Sequence, residues 1–203
     1  MYLGRIISIG SNDEGSFASY RVSSRSFPNR QSVVNMQKVA IIPTKGSEGD
    51  IYKNPYISYN CIDIIDDEIC VVTNGSHTDI IAGKIREGMN MRDAIALSLL
   101  TMDYEKDDYN TPRIAGAINT KGEGFIGIVR DDGLEVIKVN PGESYYVSTY
   151  EHNSPREVKF EASNSQEATD HIYGEGAFEE FTNPVTSCAA FFNGEWEISV
   201  KNP

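Results

Sequence analysis

Short apolar and β-branched runs, closed by tight-turn signals, decide what this chain can fold into. Phe17 to Ser24 follows Leu3 to Ile9 across Asn12-Asp13-Glu14-Gly15, and Glu68 to Thr73 follows Tyr59 to Ile65 across Asp66-Asp67. Trp196 to Lys201 likewise follows Ser187 to Phe192 across Asn193-Gly194. Asn, Asp and Gly tolerate the backbone angles that short connections demand, so each pair reads as an antiparallel hairpin. Lys38 to Pro43 is a further strand. Arg113 to Asn119, Phe125 to Arg130, Leu134 to Val139 and Glu143 to Thr149 form a meander broken at Asp131-Asp132-Gly133 and Asn140-Pro141-Gly142.

The period changes at Asn74-Gly75-Ser76. Ile80, Ile81 and Ile85 recur at helical spacing until Gly88, and a second helix after the N-cap Asn90 puts Met91, Ala94, Ile95, Ser98 and Met102 on one face. Residues 152 to 175 are polar and hold one short helix near Gln166 to Tyr173. Strands, two consecutive antiparallel helices, then strands again predict an α+β layered sandwich with helices covering antiparallel sheets. With 203 residues and no Pro/Ser-rich or charge-block linker, residues 1–203 read as one domain.

Charge narrows the function. From Gly15 to Ser47 the chain carries Arg21, Arg25, Arg30, Lys38 and Lys45 and no Asp or Glu, against a net charge of −12. In an extended strand Arg21, Ser23 and Arg25 share a face, the two guanidinium groups about 13 Å apart at roughly 3.3 Å per residue. That suits a small anionic ligand of nucleotide size; the plainer alternative is a solvated basic strand paired with the acidic majority. The acidic balance excludes broad binding to a nucleic-acid polymer, which needs an extended positive surface. No apolar run is long enough to cross a bilayer and no signal-type start is present, so the expected location is the cytoplasm.

Cys61, Cys70 and Cys188 are widely spaced among apolar residues and read as core packing. His77, His152 and His171 lack ligand spacing, so no metal centre is expected. The chain has no phosphate-loop motif, and Lys121-Gly122-Glu123-Gly124 does not open a helix as a dinucleotide fingerprint would. Two other segments carry reactive groups. Tyr59 and Asn60 stand where a strand begins, offering a phenol and an amide to a cleft; the plainer reading of Tyr59 is an interfacial tyrosine. Asp103-Tyr104-Glu105-Lys106-Asp107-Asp108-Tyr109 follows the second helix and leads to Arg113; it supplies a general base or is a solvated acidic loop.

The run Tyr20-Arg21-Val22-Ser23-Ser24-Arg25-Ser26-Phe27-Pro28-Asn29-Arg30 follows the opening Met1-Tyr2-Leu3-Gly4-Arg5. Tyr59-Asn60, Thr73-Asn74-Gly75-Ser76-His77 and Ala115-Gly116 come after it, and together these motifs resemble the archaeal-type IMP cyclohydrolase family over essentially the whole chain. The resemblance implies closure of 5-formamidoimidazole-4-carboxamide ribotide to IMP with loss of water. It also implies a four-layer αββα sandwich like that of N-terminal-nucleophile hydrolases, and a homo-oligomer, a tetramer by the family's habit. Those hydrolases attack with a terminal Ser, Thr or Cys, whereas this chain opens Met1-Tyr2, so the expectation is the fold without the protein nucleophile.

Ring closure joins two arms of one substrate, so neither cofactor nor metal is expected. Arg21, Ser23 and Arg25 are expected to hold the nucleotide, with Arg30 reaching its phosphate or base. Tyr59 and Asn60 are placed at the reacting amide and formyl groups, and Tyr104 with Glu105 as the acid/base pair. Asp103, Asp107 and Asp108 are the alternatives to Glu105. Asn74 and Gly75 are expected to add amide or backbone contacts at the strand-to-helix turn. An amide hydrolase, or a protein that binds purine nucleotides without consuming them, are the competing functions.

Overall fold

A computed structural model describes residues 1–203. Thirteen strands form two antiparallel sheets. The first pairs β1 (Arg5–Asn12), β2 (Gly15–Ser23), β10 (Ser144–Ser148), β11 (Arg156–Glu157), β12 (Pro184–Phe192) and β13 (Trp196–Lys201) in the order β11-β10-β1-β2-β12-β13. The second runs in sequence order through β3 (Arg30–Asn35), β4 (Lys38–Pro43), β5 (Tyr59–Ile65), β6 (Ile69–Thr73), β7 (Arg113–Asn119), β8 (Gly124–Arg130) and β9 (Gly133–Val139). The three expected hairpins are present and their turns show the anticipated chemistry, but the expected meander ends at β9: after Asn140-Pro141-Gly142 the chain crosses to the first sheet, where β10 pairs with β1 instead of β9. Asn12 Oδ1 accepts from the Glu14 and Gly15 amides, and Asp66 and Asp67 both hold positive φ.

Strand β3 has no counterpart in the sequence reading, which left Arg30 to Asn35 outside any element. Val33 and Val34 of this edge strand are exposed, so its apolar residues face solvent and the alternation that betrays a half-buried strand is blurred.

Helices α1 (His77–Arg86) and α2 (Met91–Met102) pack on the outer face of the second sheet, where Ile81, Ile85, Ile95 and Leu99 meet Val71 and Ala117. The cap is the expected one: Asn90 Oδ1 accepts from the Asp93 amide at 3.0 Å. Helix α3 (Ser165–Gly174) covers the first sheet over Leu3, Ile6, Phe17 and Phe191. Between the sheets lies a third core of Ile7, Tyr20, Val22, Ile41, Ile62 and Val72, among others, with Cys61 and Cys188 in it. The sheets approach closely at Gly116, where a Cβ would stand 2.9 Å from Ile9 of the opposite sheet. All three cysteines are free and buried, and no helix is long and apolar enough to cross a membrane.

Candidate active site

Antiparallel pairing brings particular strand ends to one end of the sandwich. Arg5 opens β1, Arg30 opens β3, Tyr59 opens β5 and Arg113 opens β7, while β2 ends at Ser23 and β6 at Thr73. A cleft of about 330 Å³ opens there, lined by Tyr2, Arg5, Ser24, Arg25, Ser26, Phe27, Asn54, Asp107, Tyr109 and Tyr150. A larger groove of about 820 Å³ lies at the opposite end of β1, but Asp13, Glu14, Glu157, Glu161 and Glu167 line it, and an anion would be repelled there.

Behind the cleft wall the polar groups are buried and under-paired. Arg5 Nη2 donates to Glu105 Oε2 at 2.9 Å, and Arg113 Nη1 stands 3.7 Å from Glu105 Oε1. Glu105 is 1% exposed. Burial pushes its carboxyl above the ordinary range, while Arg5, Arg113 and Arg30 pull the other way. Burial opposes the charge on Arg5, yet Glu105 together with Tyr59, Tyr20 and Tyr150 outweighs it and the guanidinium is held more firmly protonated. Arg30 is also buried; its Nε donates to the Phe27 carbonyl at 3.0 Å and its Nη1 has no partner. Several cations around one carboxylate, with donors left over, make a site waiting for an anionic or carbonyl-rich ligand.

The two sheets also meet through a pair of phenols. Tyr20 from β2 and Tyr59 from β5 share a hydrogen bond of 2.6 Å, both rings buried. Burial raises both hydroxyls above the ordinary phenol range, but Arg30, Arg5 and the bond from Tyr20 offset it at Tyr59. Either hydroxyl can donate in that bond, so each phenol can pass a proton to the other.

Several residues named from sequence are placed otherwise. Arg21 and Ser23 face away from the cleft, because β2 turns Tyr20 and Val22 into the space between the sheets and its odd-numbered residues toward α3. Arg21 is fully buried and gives its donors to Ser23 Oγ and to the carbonyls of Phe178, Phe181 and Thr182. Burial lowers its pKa to about 10. Arg25 lies beyond the strand end, so it does not share their face; it lines the cleft with its guanidinium 4.2 Å over the Tyr2 ring. Asn60 is also outside, since it follows Tyr59 on the same strand; its amide donates to Asp79 of α1 at 3.0 Å. Tyr104 does not line the cleft, and its ring lies under the Lys106 ammonium at 3.3 Å. Asn74 and Gly75 have spent their groups within the protein: Asn74 on Pro112 and Ile114, and the Gly75 amide on Thr73 Oγ1. Glu105, Tyr59 and Arg30 are the named residues that come together behind Arg5.

The sequence reading assigns no site role to Arg5, Tyr20, Tyr2, Tyr150 or Arg113, which the structure brings to this end of the sandwich. Arg5 and Arg113 sit at strand starts next to buried runs, a pattern equally common for surface arginines. Tyr20 had a usable signal, since it shares its alternation with Ala18 and Val22, the inward residues of β2.

The family described as IMP cyclohydrolase-like protein matches residues 2–196. Relatives named IMP cyclohydrolase include proteins of three methanogens. The one from Methanosphaera stadtmanae is 80% identical over 203 residues, covering 100% of both chains. That of Methanococcus maripaludis strain S2 is 46% identical, covering 98% of this chain and 99% of its own. That of Methanocaldococcus jannaschii is 46% identical, covering 94% and 93%. With a match over nearly its entire length, the chain belongs to the IMP cyclohydrolase-like family.

Proposed function

We infer that the chain is a cyclohydrolase of de novo purine synthesis that closes 5-formamidoimidazole-4-carboxamide ribotide to IMP and water. Full-length identity of 80% to a relative bearing that name carries the reading. The geometry supports it: a nucleotide-sized cleft is backed by Arg5, Arg30, a Tyr20–Tyr59 pair and a buried carboxylate.

The carboxamide nitrogen is a poor nucleophile, so the protein must hold it at attack distance from the formyl carbon and take a proton as the bond forms. Glu105, raised by burial toward neutrality, accepts that proton. Tyr59 supplies a proton to the formyl oxygen, with Tyr20 donating to Tyr59 behind it, and Arg30 and Arg5 stabilise the negative charge developing on that oxygen. Glu105 returns its proton to the hydroxyl so formed, which leaves as water, and the proton lost by the formamido nitrogen restores Tyr59, so both the substrate atoms and the protein's protons balance. Arg25, over Tyr2 at the cleft rim, meets the nucleotide phosphate with Ser24 and Ser26.

The order of layers, α3, sheet, sheet, then α1 with α2, supports an αββα sandwich of the N-terminal-nucleophile-hydrolase kind. The three free thiols suit a reducing cytoplasm, and the exposed Leu97 and Leu100 of α2 suit burial in a homo-oligomer. Following ultraviolet absorbance as the purine ring forms from the formamido ribotide tests the function; a protein that binds IMP yet leaves the ribotide unchanged refutes it. Glu105→Gln folds and loses turnover, and a native rate in that variant removes Glu105 from the mechanism.

A further inference from the structure

The turn joining β6 to α1 spends its polar groups on fixing Arg113. Asn74 Nδ2 donates to the Pro112 carbonyl at 3.0 Å and Asn74 Oδ1 accepts from the Ile114 amide at 2.9 Å, so one side chain brackets Arg113 on both sides. His77 Nε2 donates to the Ile114 carbonyl at 2.9 Å, which fixes its tautomer and leaves Nδ1 as an acceptor with no partner. Gly75 keeps the remaining space open: a Cβ there would stand 3.0 Å from Arg113 Nη1 and 3.1 Å from His77 Nδ1.

The guanidinium held in this way is left with work to do. Arg113 is 5% exposed, and its Nε and Nη1 have no hydrogen-bond partner. Beside Nη1 stands Glu105 Oε1, also without a hydrogen bond, because Oε2 is committed to Arg5. Both atoms sit one side chain in from the cleft wall that Arg5 forms. A buried charged donor next to a buried charged acceptor, each unsatisfied, is costly unless a ligand uses both.

A primary carboxamide uses both, because an N–H and the C=O lie side by side along one edge. The lactam edge of hypoxanthine, N1–H beside O6, keeps the same order after ring closure. Adenine reverses it: N1 accepts and the 6-amino group donates, setting a lone pair against the carboxylate and an N–H against the guanidinium. We propose that Glu105 Oε1 and Arg113 Nη1 form an acceptor–donor pair that reads the amide edge of substrate and the lactam edge of product, with Asn74, Gly75 and His77 as positioning residues that aim Arg113. The proposal rests on the cyclohydrolase reading and makes that site selective for 6-oxo over 6-amino purine ribotides.

Calorimetric titration with IMP and AMP, which carry the same ribose phosphate, tests it. Wild-type protein binds IMP at least ~10-fold more tightly than AMP, as a mismatched pair of charge-assisted hydrogen bonds requires. Arg113→Met loses most of that preference by weakening IMP while leaving AMP unchanged, and Arg113→Lys recovers part of it. His77→Ala and Gly75→Ala, which leave the guanidinium in place but unaimed, narrow the ratio without abolishing it. Equal affinity of the wild type for IMP and AMP overturns the proposal without any variant, as does a parallel loss of both ligands in Arg113→Met. Turnover of the formamido ribotide with no preference for IMP defeats the edge-reading pair alone, whereas absence of turnover defeats the functional reading.

Discussion

Arg21→Met and Arg25→Met should have opposite consequences, although the two residues stand four apart in one basic run. Arg21 is fully buried and reaches Ser23 Oγ at 2.9 Å and the carbonyls of Phe178, Phe181 and Thr182 at 3.3, 2.5 and 3.3 Å. It thereby ties β2 to the segment that follows the Gly176–Phe178 turn. Methionine fills part of the volume but leaves those carbonyls without their donor. A hydrogen bond to a charged group is worth ~1.5–3 kcal/mol, yet the buried cation's own desolvation is relieved on replacement, so the losses do not simply add. A net destabilisation of about 3 kcal/mol follows, read as a lower midpoint in urea at unchanged slope.

IMP affinity, measured by calorimetry on the folded protein, should stay within about twofold of wild type for Arg21→Met, since less than ~0.5 kcal/mol separates them. Arg25 is exposed and packs on Tyr2, so Arg25→Met should unfold within ~0.5 kcal/mol of wild type. It should bind IMP ~10-fold more weakly through loss of one charge-assisted contact. An Arg21→Met protein of native stability that no longer binds IMP would refute this reasoning and return Arg21 to the nucleotide.

Tyr59→Phe should fold normally and lose roughly 10²-fold or more in turnover, measured by absorbance, whereas Tyr20→Phe, one step back from the substrate, should lose less; equal rates in Tyr59→Phe and wild type would exclude the phenol from proton transfer. His77 has its pKa lowered to about 3 by burial and by Arg113, against an ordinary 6.5, so below the ordinary value the unfolded chain binds a proton that the folded chain refuses. Its contribution is complete above the ordinary value and is lost as pH falls from there toward 3, at about 1.4 kcal/mol per unit. His77→Gln should flatten the urea-midpoint profile between roughly pH 6 and 4, and parallel profiles would show that His77 is protonated in the fold.

The fold was legible where local signals agree. Each hairpin of the sequence reading carries Asn, Asp or Gly at its turn, and both middle helices begin and end on recognisable residues. The helix in the polar stretch spans Ser165–Gly174, close to Gln166 to Tyr173, because Asn164 caps it and Ala168 and Ile172 face inward. What sequence could not supply was which face of a strand meets the cleft. Arg21, Ser23 and Arg25 were read as one face, but the strand ends at Ser23 and the chain leaves the sheet before Arg25. Tyr59 and Asn60, or Tyr104 and Glu105, look like paired chemistry as neighbours in sequence, yet in each pair only one side chain joins the buried cluster.

The cluster is shared between the sheets, and that ties function to the docking of one on the other. Arg5 and Tyr20 belong to the first sheet, Arg30, Tyr59 and Arg113 to the second, and Glu105 to the loop between α2 and β7. No single hairpin holds both the phenol pair and the carboxylate with its two arginines. A local opening between the sheets would pull Tyr20 from Tyr59 and Arg5 from Glu105 together, even with every strand intact. The converse is a linkage: a nucleotide that engages groups from both sheets binds only the docked state, and at a hundred times its Kd adds about 2.7 kcal/mol to the cost of separating them. The burial of unpaired guanidinium groups, unfavourable in the free protein, is thus offset where the ligand supplies the missing acceptors.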